Sequence, residues 1–379
     1  MKNNNIKIGI LTLSASDNCG SLLQTFALQK AIFKLGYENV EVIDFQSELS
    51  QKAYDIFPKD IILQPRKFLS TLLHYQKLKK QKMEYNRFRN SKIIFSSEKY
   101  FTIKDIRTLG DKYDIVVCGS DQIWNIKMYD FSEAFFLPEV KNIRKIAYAA
   151  SLGGQKLRKY KDLKSLEKWI NDFDKISVRE IDGRKEIMSL YNKDVDVLAD
   201  PTLLLNKEEW KEIAGENRII RENYIFYYSW SYKDERLIQI VQQISSQLKK
   251  PVYVINASKW LIHSYKKFGF YLCEEGGPFA FTNLIRFADL VLVESLHGSI
   301  FSTIYEKEFW YLNGCDNGID QRNEYFLNLL GMSERVINAD QRIDENTIQK
   351  GIAYTQNDTI EKLIQTSQNW LGESIKISK

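Results

Sequence analysis

The chain has 379 residues, 44% of them hydrophobic and 27% charged, which excludes a disordered polymer and makes two globular domains the expectation. Its four cysteines (Cys19, Cys118, Cys273, Cys315) show no CxxC spacing, so neither a disulfide framework nor a cysteine metal site is indicated, and a reducing cytoplasm fits best. No run of about 18 apolar residues is present to form a transmembrane helix. The net charge of +5 is concentrated in 77–92, where seven Lys/Arg meet one Glu, and no nucleic-acid-binding motif accompanies it.

Lys7 interrupts the first apolar stretch, so 6–13 reads as a strand and not as the core of a signal peptide. A polar loop (14–21), an amphipathic helix (22–35) closed by Gly36, and a strand (40–45) complete a βαβ unit. Residues 46–110 read as mostly helical, punctuated by Pro58 and Pro65. Within them, 77–92 is either a solvated basic helix face or a contact for an anionic membrane surface or a phosphate-bearing substrate. Strands follow at 114–118, 145–150, 175–178 and 195–199, with helices at 163–172 and 184–190. The polar stretch 205–223 is the expected boundary. A second series places strands at 224–229, 252–255, 289–293 and 308–311, and helices at 234–248, 279–287 and 299–306.

This alternation predicts an α/β protein with two doubly wound, Rossmann-like domains facing a cleft. The first spans 1–205, with a basic helical insertion at about 46–110. The second spans 206–379, and its last helix, about 359–375, is able to cross back.

Candidate chemistry sits in the loops that leave these strands. After the first strand, Asn18, Gly20, Ser21 and Gln24 occupy a dinucleotide-type turn, but G-x-G-x-x-G is absent and NAD or FAD is not expected. Asn18 and Gly20 are suited to left-handed backbone, and Ser21 to capping the helix. After the strand ending at Cys118, the residues Ser120, Asp121, Gln122, Trp124 and Asn125 cluster polar groups around an indole. Arg179 follows another strand, as an anion fork or a surface ion pair with Glu180 or Asp182. Asp200 precedes Pro201 and reads first as a cap. The strongest stretch is 294–301, in which Glu294, Ser295, Leu296, His297, Gly298 and Ser299 join a buried strand to a helix. That turn sets an imidazole among backbone N–H groups able to hold an anion. His74, in the basic helix, and His263, in a Lys/Tyr-rich loop, have ordinary structural readings. No G-x-S-x-G elbow supports a serine hydrolase.

Taken together, six segments resemble the polysaccharide pyruvyl transferase family. They are N-x-G-x-x-L-Q-x-x-A-L (Asn18 to Leu28), G-S-D-Q-x-W-N (Gly119 to Asn125), A-A-S-x-G (Ala149 to Gly153), S-V-R-E (Ser177 to Glu180), D-P-T-L-L-L (Asp200 to Leu205) and A-D-x-V-x-x-x-S-x-H-G (Ala288 to Gly298). Cys19, Leu296 and Glu294 depart from the residues frequent at those positions. The resemblance implies a GT-B-like fold and transfer of pyruvate from phosphoenolpyruvate (PEP) to two hydroxyls of a sugar, forming a cyclic ketal.

His297, Arg179 and Asp121 are the expected catalytic residues, with Arg179, Leu296, His297, Gly298 and Ser299 at the donor. Asn18, Gly20, Ser21, Gln24, Ser120, Gln122, Trp124, Asn125, Ser151, Asp200, Glu294 and Ser295 are expected at the acceptor or cleft. No metal or cofactor is expected beyond PEP as co-substrate. The acceptor would be a sugar or lipid-linked oligosaccharide of a capsule, exopolysaccharide or wall precursor, met on the cytoplasmic side of the membrane. Alternatives are a glycosyltransferase using a nucleotide sugar and a non-catalytic carbohydrate-binding protein.

Overall fold

In the computed structural model of the chain, the described residues are 5–57, 65–262, 265–314, 319–341, 343, 348, 351–352, 354 and 358–377. Pro58, His263 and Cys315 lie outside them. The chain forms two compact units. One comprises Met1–Asp55, Arg89–Leu205 and Asp358–Lys379, and the other Ile56–Phe88 and Asn206–Asn357. Residues 56–88 of the expected insertion thus group with the second unit, and the C-terminal helix with the first.

The first unit is built on a seven-stranded sheet. Its strands are β1 (Ile8–Leu11), β2 (Val40–Phe45), β3 (Phe95–Tyr100), β4 (Ile115–Cys118), β5 (Arg144–Ala150), β6 (Lys175–Val178) and β7 (Asp196–Val197). Their order is β3-β2-β1-β4-β5-β6-β7, and every pairing is parallel. β1 and β4 are buried along their whole lengths, as central strands covered on both faces should be. The helix Cys19–Lys34 follows β1, and Asn18 caps it by accepting from the Ser21 N–H. The C-terminal helix Asp358–Ser374 returns to this unit, where Ser367 Oγ accepts from the Ala199 N–H at 2.9 Å. β3 is an edge strand, although it lies in the stretch 46–110 whose sequence predicts mostly helix. Its pattern FSSEKY buries little, and it joins the sheet through β2.

The second unit repeats the plan with six strands: β8 (Ile225–Tyr228), β9 (Val252–Val254), β10 (Tyr271–Leu272), β11 (Leu290–Val293), β12 (Phe309–Asn313) and β13 (Val336–Asn338). Their order is β10-β9-β8-β11-β12-β13, again parallel throughout. Three helices that the sequence analysis does not include also belong to it: Lys207–Ala214, with an Asn206/Glu209 capping box, Ala257–Ile262 and Gln321–Leu330.

The basic segment belongs to the helix Tyr75–Lys92, which buries Leu78, Gln81, Tyr85 and Phe88 at helical spacing. Within the second unit this seam meets the helix Gly277–Phe287. Phe88 and Phe279 lie with ring centroids 5.0 Å apart. A Cβ on Gly277, whose φ is +73°, would come within 3.2 Å of the Glu84 and Tyr85 backbone, so glycine serves both the turn and the close approach. His74 is the single residue between this helix and the helix Pro65–Leu73.

Candidate active site

In both sheets the sequence order reverses once, between β1 and β4 in the first and between β8 and β11 in the second. At such a switch point the loops beyond the strand carboxyl ends diverge and leave room for a ligand. The loops read as functional from sequence emerge there: 12–18 after β1, 119–125 after β4, and 294–295 after β11.

In the first unit these loops are knitted together by buried hydrogen bonds. Gln24 Nε2 donates to Thr12 Oγ1 at 2.9 Å, and Gln24 Oε1 accepts from the Ser120 N–H at 3.2 Å. Ser120 Oγ donates to the Ala149 carbonyl at 2.7 Å. Gln24 and Ser120 are fully buried, so they shape the loops from behind. Asn18 is extended (φ −123°) and Gly20 lies within the helix, so neither takes the left-handed conformation expected of it. Gln122 Oε1 accepts from Asn125 Nδ2 at 2.7 Å. Trp124 is also fully buried. Its ring stacks on Phe136 at 5.2 Å and its Nε1 donates to the Phe135 carbonyl, which leaves no face for a sugar. The indole expected at the acceptor is a core residue.

Around Arg179 the structure gathers a charged cluster. Its guanidinium, 4% exposed, donates from Nη1 to Asp200 Oδ2 at 2.7 Å. Asp121 Oδ1 stands 3.7 Å from Nη2 and Glu180 Oε2 stands 4.0 Å from Nε. Nε and Nη2 make no hydrogen bond, so the fork retains donors. Asp200 also caps the turn Pro201–Leu204, accepting from the Thr202 N–H and hydroxyl. Asp121, at φ +69°, accepts from Ser21 Oγ at 2.5 Å and from the Gln122 N–H at 2.8 Å. Ser151 Oγ donates to Glu180 Oε1 at 2.8 Å. The sequence reading offered a surface ion pair for Arg179, whereas the pairing is buried, where solvent cannot weaken it and each partner's loss is costly.

In the second unit Ser295 is the N-cap of the helix Leu296–Ile304, its Oγ accepting from the Gly298 N–H at 3.0 Å. The Ser299 N–H donates to the Ser295 carbonyl, and Ser299 Oγ donates to Asn323. The N–H groups of Gly298 and Ser299, expected to face the donor, are therefore engaged in forming the helix. A Cβ on Gly298 would lie 2.6 Å from Val293 Cγ1, so glycine permits this helix to start against β11. Leu296 is buried, while His297 is partly exposed in the first helical turn.

Glu294, at the carboxyl end of β11, accepts from the Tyr227 hydroxyl. Burial pushes its carboxyl up to about 7, against the opposing hydrogen bonds from Tyr227 and Ser229. Tyr227 and Ser229 belong to the neighbouring β8 and the residue just beyond it. They escaped the sequence reading because a run such as Tyr224–Ser229 reads as core. Arg89, counted there among surface basic residues, instead donates to the carbonyls of Ser14, Ala15 and Ser16 and pairs with Asp17 Oδ1 at 2.8 Å. It holds the loop after β1.

The chain is similar to several solved structures. The UDP-GlcNAc 2-epimerase of Methanocaldococcus jannaschii shares 10% identity over 96% of this chain and 93% of its own, with a TM-score of 0.50. The same enzyme in complex with UDP-GlcNAc and UDP gives 12%, 96%, 92% and 0.50. The S. aureus MnaA–UDP co-structure gives 11%, 99%, 99% and 0.50. At such identities the likeness concerns the fold alone, a two-domain, Rossmann-like α/β fold. No curated protein matches the sequence. The family model for polysaccharide pyruvyl transferase matches residues 18–316, a span holding Asp121, Arg179, Asp200, Glu294 and His297, and the chain belongs to that family.

Proposed function

We propose that the chain transfers pyruvate from PEP to two hydroxyls of a sugar, in a surface polysaccharide or its lipid-linked precursor, forming a cyclic ketal. Family membership supports an enzyme that transfers pyruvate to polysaccharide. The observation that carries the finer reading is the set of residues at the strand carboxyl ends: a buried arginine fork with unused donors after β6 in one unit, and proton-transfer groups at a helix start after β11 in the other. Arg179 would bind the PEP carboxylate or phosphate through Nε and Nη2. His297 would deliver a proton to the vinyl carbon C3, leaving an oxocarbenium-like centre at C2. One sugar hydroxyl adds to C2 and loses its proton. The second then displaces phosphate, closing the ketal. Glu294, with its carboxyl near 7, is suited to receive one of those protons.

The likeness to UDP-sugar enzymes favours one alternative, glycosyl transfer from a nucleotide sugar. Thermal unfolding with added ligand separates the two, because a ligand that binds the native state raises its melting temperature. PEP should stabilise the wild type, and Arg179→Lys, which keeps the charge beside Asp200 but loses the fork, should abolish the effect. His297→Ala should bind PEP yet turn over at least about a hundredfold more slowly. Near-wild-type turnover by His297→Ala would sink its role.

We propose a cytoplasmic protein that makes peripheral contact with the inner face of the membrane. Among the described residues no helix is long and apolar enough to cross it. Peripheral contact would be made by exposed Lys77, Lys79 and Lys80 together with Leu69, Leu72 and Leu73, all exposed in the second unit.

A further inference from the structure

We propose that Tyr129, Tyr54 and Asp130 of the first unit form the subsite that receives the sugar acceptor. In it the two phenols would relay a proton from a sugar hydroxyl to the Asp130 carboxylate. The inference rests on the pyruvyl-transfer reading and names its acceptor site.

Tyr54 ends the helix Glu48–Tyr54 that follows β2, and Tyr129 and Asp130 end the segment that follows β4. The Tyr54 hydroxyl donates to Asp130 Oδ2 at 3.2 Å and is hydrogen-bonded to the Tyr129 hydroxyl. With Tyr54 donating to the carboxylate, Tyr129 is the donor to Tyr54. The chain of hydrogen bonds therefore runs one way and leaves the Tyr129 oxygen able to accept. Asp130 is 2% exposed, and its Oδ1 has no hydrogen-bond partner from another residue, while the Tyr129 side is 50% exposed. A buried carboxylate thus reaches the surface through two phenols. The Tyr129 ring, in edge contact with Tyr54 at 6.1 Å, offers an apolar platform beside that exit.

The surrounding charges select the ligand. Asp121 acts on both Asp130 and Tyr129, and Asp17 acts on Tyr129, so the cluster lies beside the β1/β4 switch point, where Arg179 and Arg89 offset those two carboxylates and leave Asp130 as the cluster's own charge. That carboxylate, behind the two phenols, disfavours PEP, a multiply charged anion, and tolerates a neutral polyol. In the relay the sugar hydroxyl gives its proton to the Tyr129 oxygen as its own oxygen bonds to C2 of the donor. The Tyr129 proton passes to Tyr54, and the Tyr54 proton passes to Asp130. Tyr129 touches substrate, whereas Tyr54 and Asp130 are positioning residues that act through it. Burial, then Asp121, raises the Asp130 carboxyl against the Tyr54 hydrogen bond. Protonation of Asp130 as pH falls closes the relay.

The test uses methyl β-D-glucopyranoside, methyl β-D-galactopyranoside and methyl α-D-mannopyranoside as probes in saturation-transfer NMR on the full chain. At least one should receive saturation from the wild type, lose it in Tyr129→Ala and keep it in Tyr129→Phe. Equal transfer in Tyr129→Ala, or none to any hexoside, overturns the subsite. With the bound hexoside and PEP, wild-type phosphate release should show an acid limb. In Asp130→Asn the limb should lose the Asp130 component and keep only that of Glu294, with kcat down about a hundredfold and the hexoside KM unchanged. Tyr54→Phe should behave the same way. An unchanged limb, or no wild-type turnover of a bound hexoside, overturns the relay. PEP calorimetry on the same preparations keeps the two readings apart. Hexoside failure with PEP binding intact removes only the subsite, whereas absence of PEP binding removes the donor reading.

Discussion

Replacing Glu294 by glutamine should change how stability depends on pH. In the native state burial raises this carboxyl from 4.5 to about 7, while in the unfolded chain it titrates at its ordinary value. Between those limits the native protein holds a proton that the unfolded chain has lost, so stability falls as pH rises through the window and the penalty is complete above about 7. At about 1.4 kcal/mol per pH unit, the interval corresponds to roughly 3 kcal/mol. Glutamine keeps the shape and an oxygen to accept from Tyr227 but cannot ionise. Urea unfolding of both proteins, followed by tryptophan fluorescence at pH 5 and pH 8, reads the difference. Relative to wild type, Glu294→Gln should gain roughly 2.5 kcal/mol on going from pH 5 to pH 8, since the unfolded carboxyl is already mostly ionised at pH 5. An identical pH dependence in the two proteins would refute the placement of this carboxyl in a poorly hydrated site.

Trp124→Ala should cost about 3–5 kcal/mol of stability through the cavity left beside Phe136, measured by urea unfolding, and should leave hexoside binding to the surviving native protein unchanged. Ser295→Ala removes the N-cap of the helix that carries His297 and should cost about 1 kcal/mol in the same assay. Changing Lys77, Lys79 and Lys80 together to Glu should abolish flotation with phosphatidylserine vesicles in low salt, with PEP binding unaffected. Unchanged flotation would remove the membrane contact.

Much of this architecture was legible because parallel strands buried on both faces read as short apolar runs. The residues that follow such runs are the ones a doubly wound sheet delivers to its carboxyl edge. Asn18, Asp121, Arg179 and Glu294 were found that way. What side chains do beyond the edge was less legible. Trp124 reads as an acceptor or cleft residue in a polar loop, but its ring is buried against Phe136. Gly298 reads as a phosphate-contacting residue, but its lack of a Cβ serves packing against Val293. β3 went unread because an edge strand needs little apolar patterning. The helix Lys207–Ala214 carried its signal openly, in the Asn206-x-x-Glu209 box. Tyr54 and Asp130 are 76 residues apart and meet only through the order of strands β2, β1 and β4.

The identity of the donor is tested most directly by calorimetric titration of the purified chain with PEP, beside UDP-sugars and CMP-sugars. Saturable PEP binding that disappears in Arg179→Lys is the predicted result. Silence toward PEP with a saturable response to a nucleotide sugar would contradict pyruvyl transfer from PEP and assign the site to glycosyl transfer.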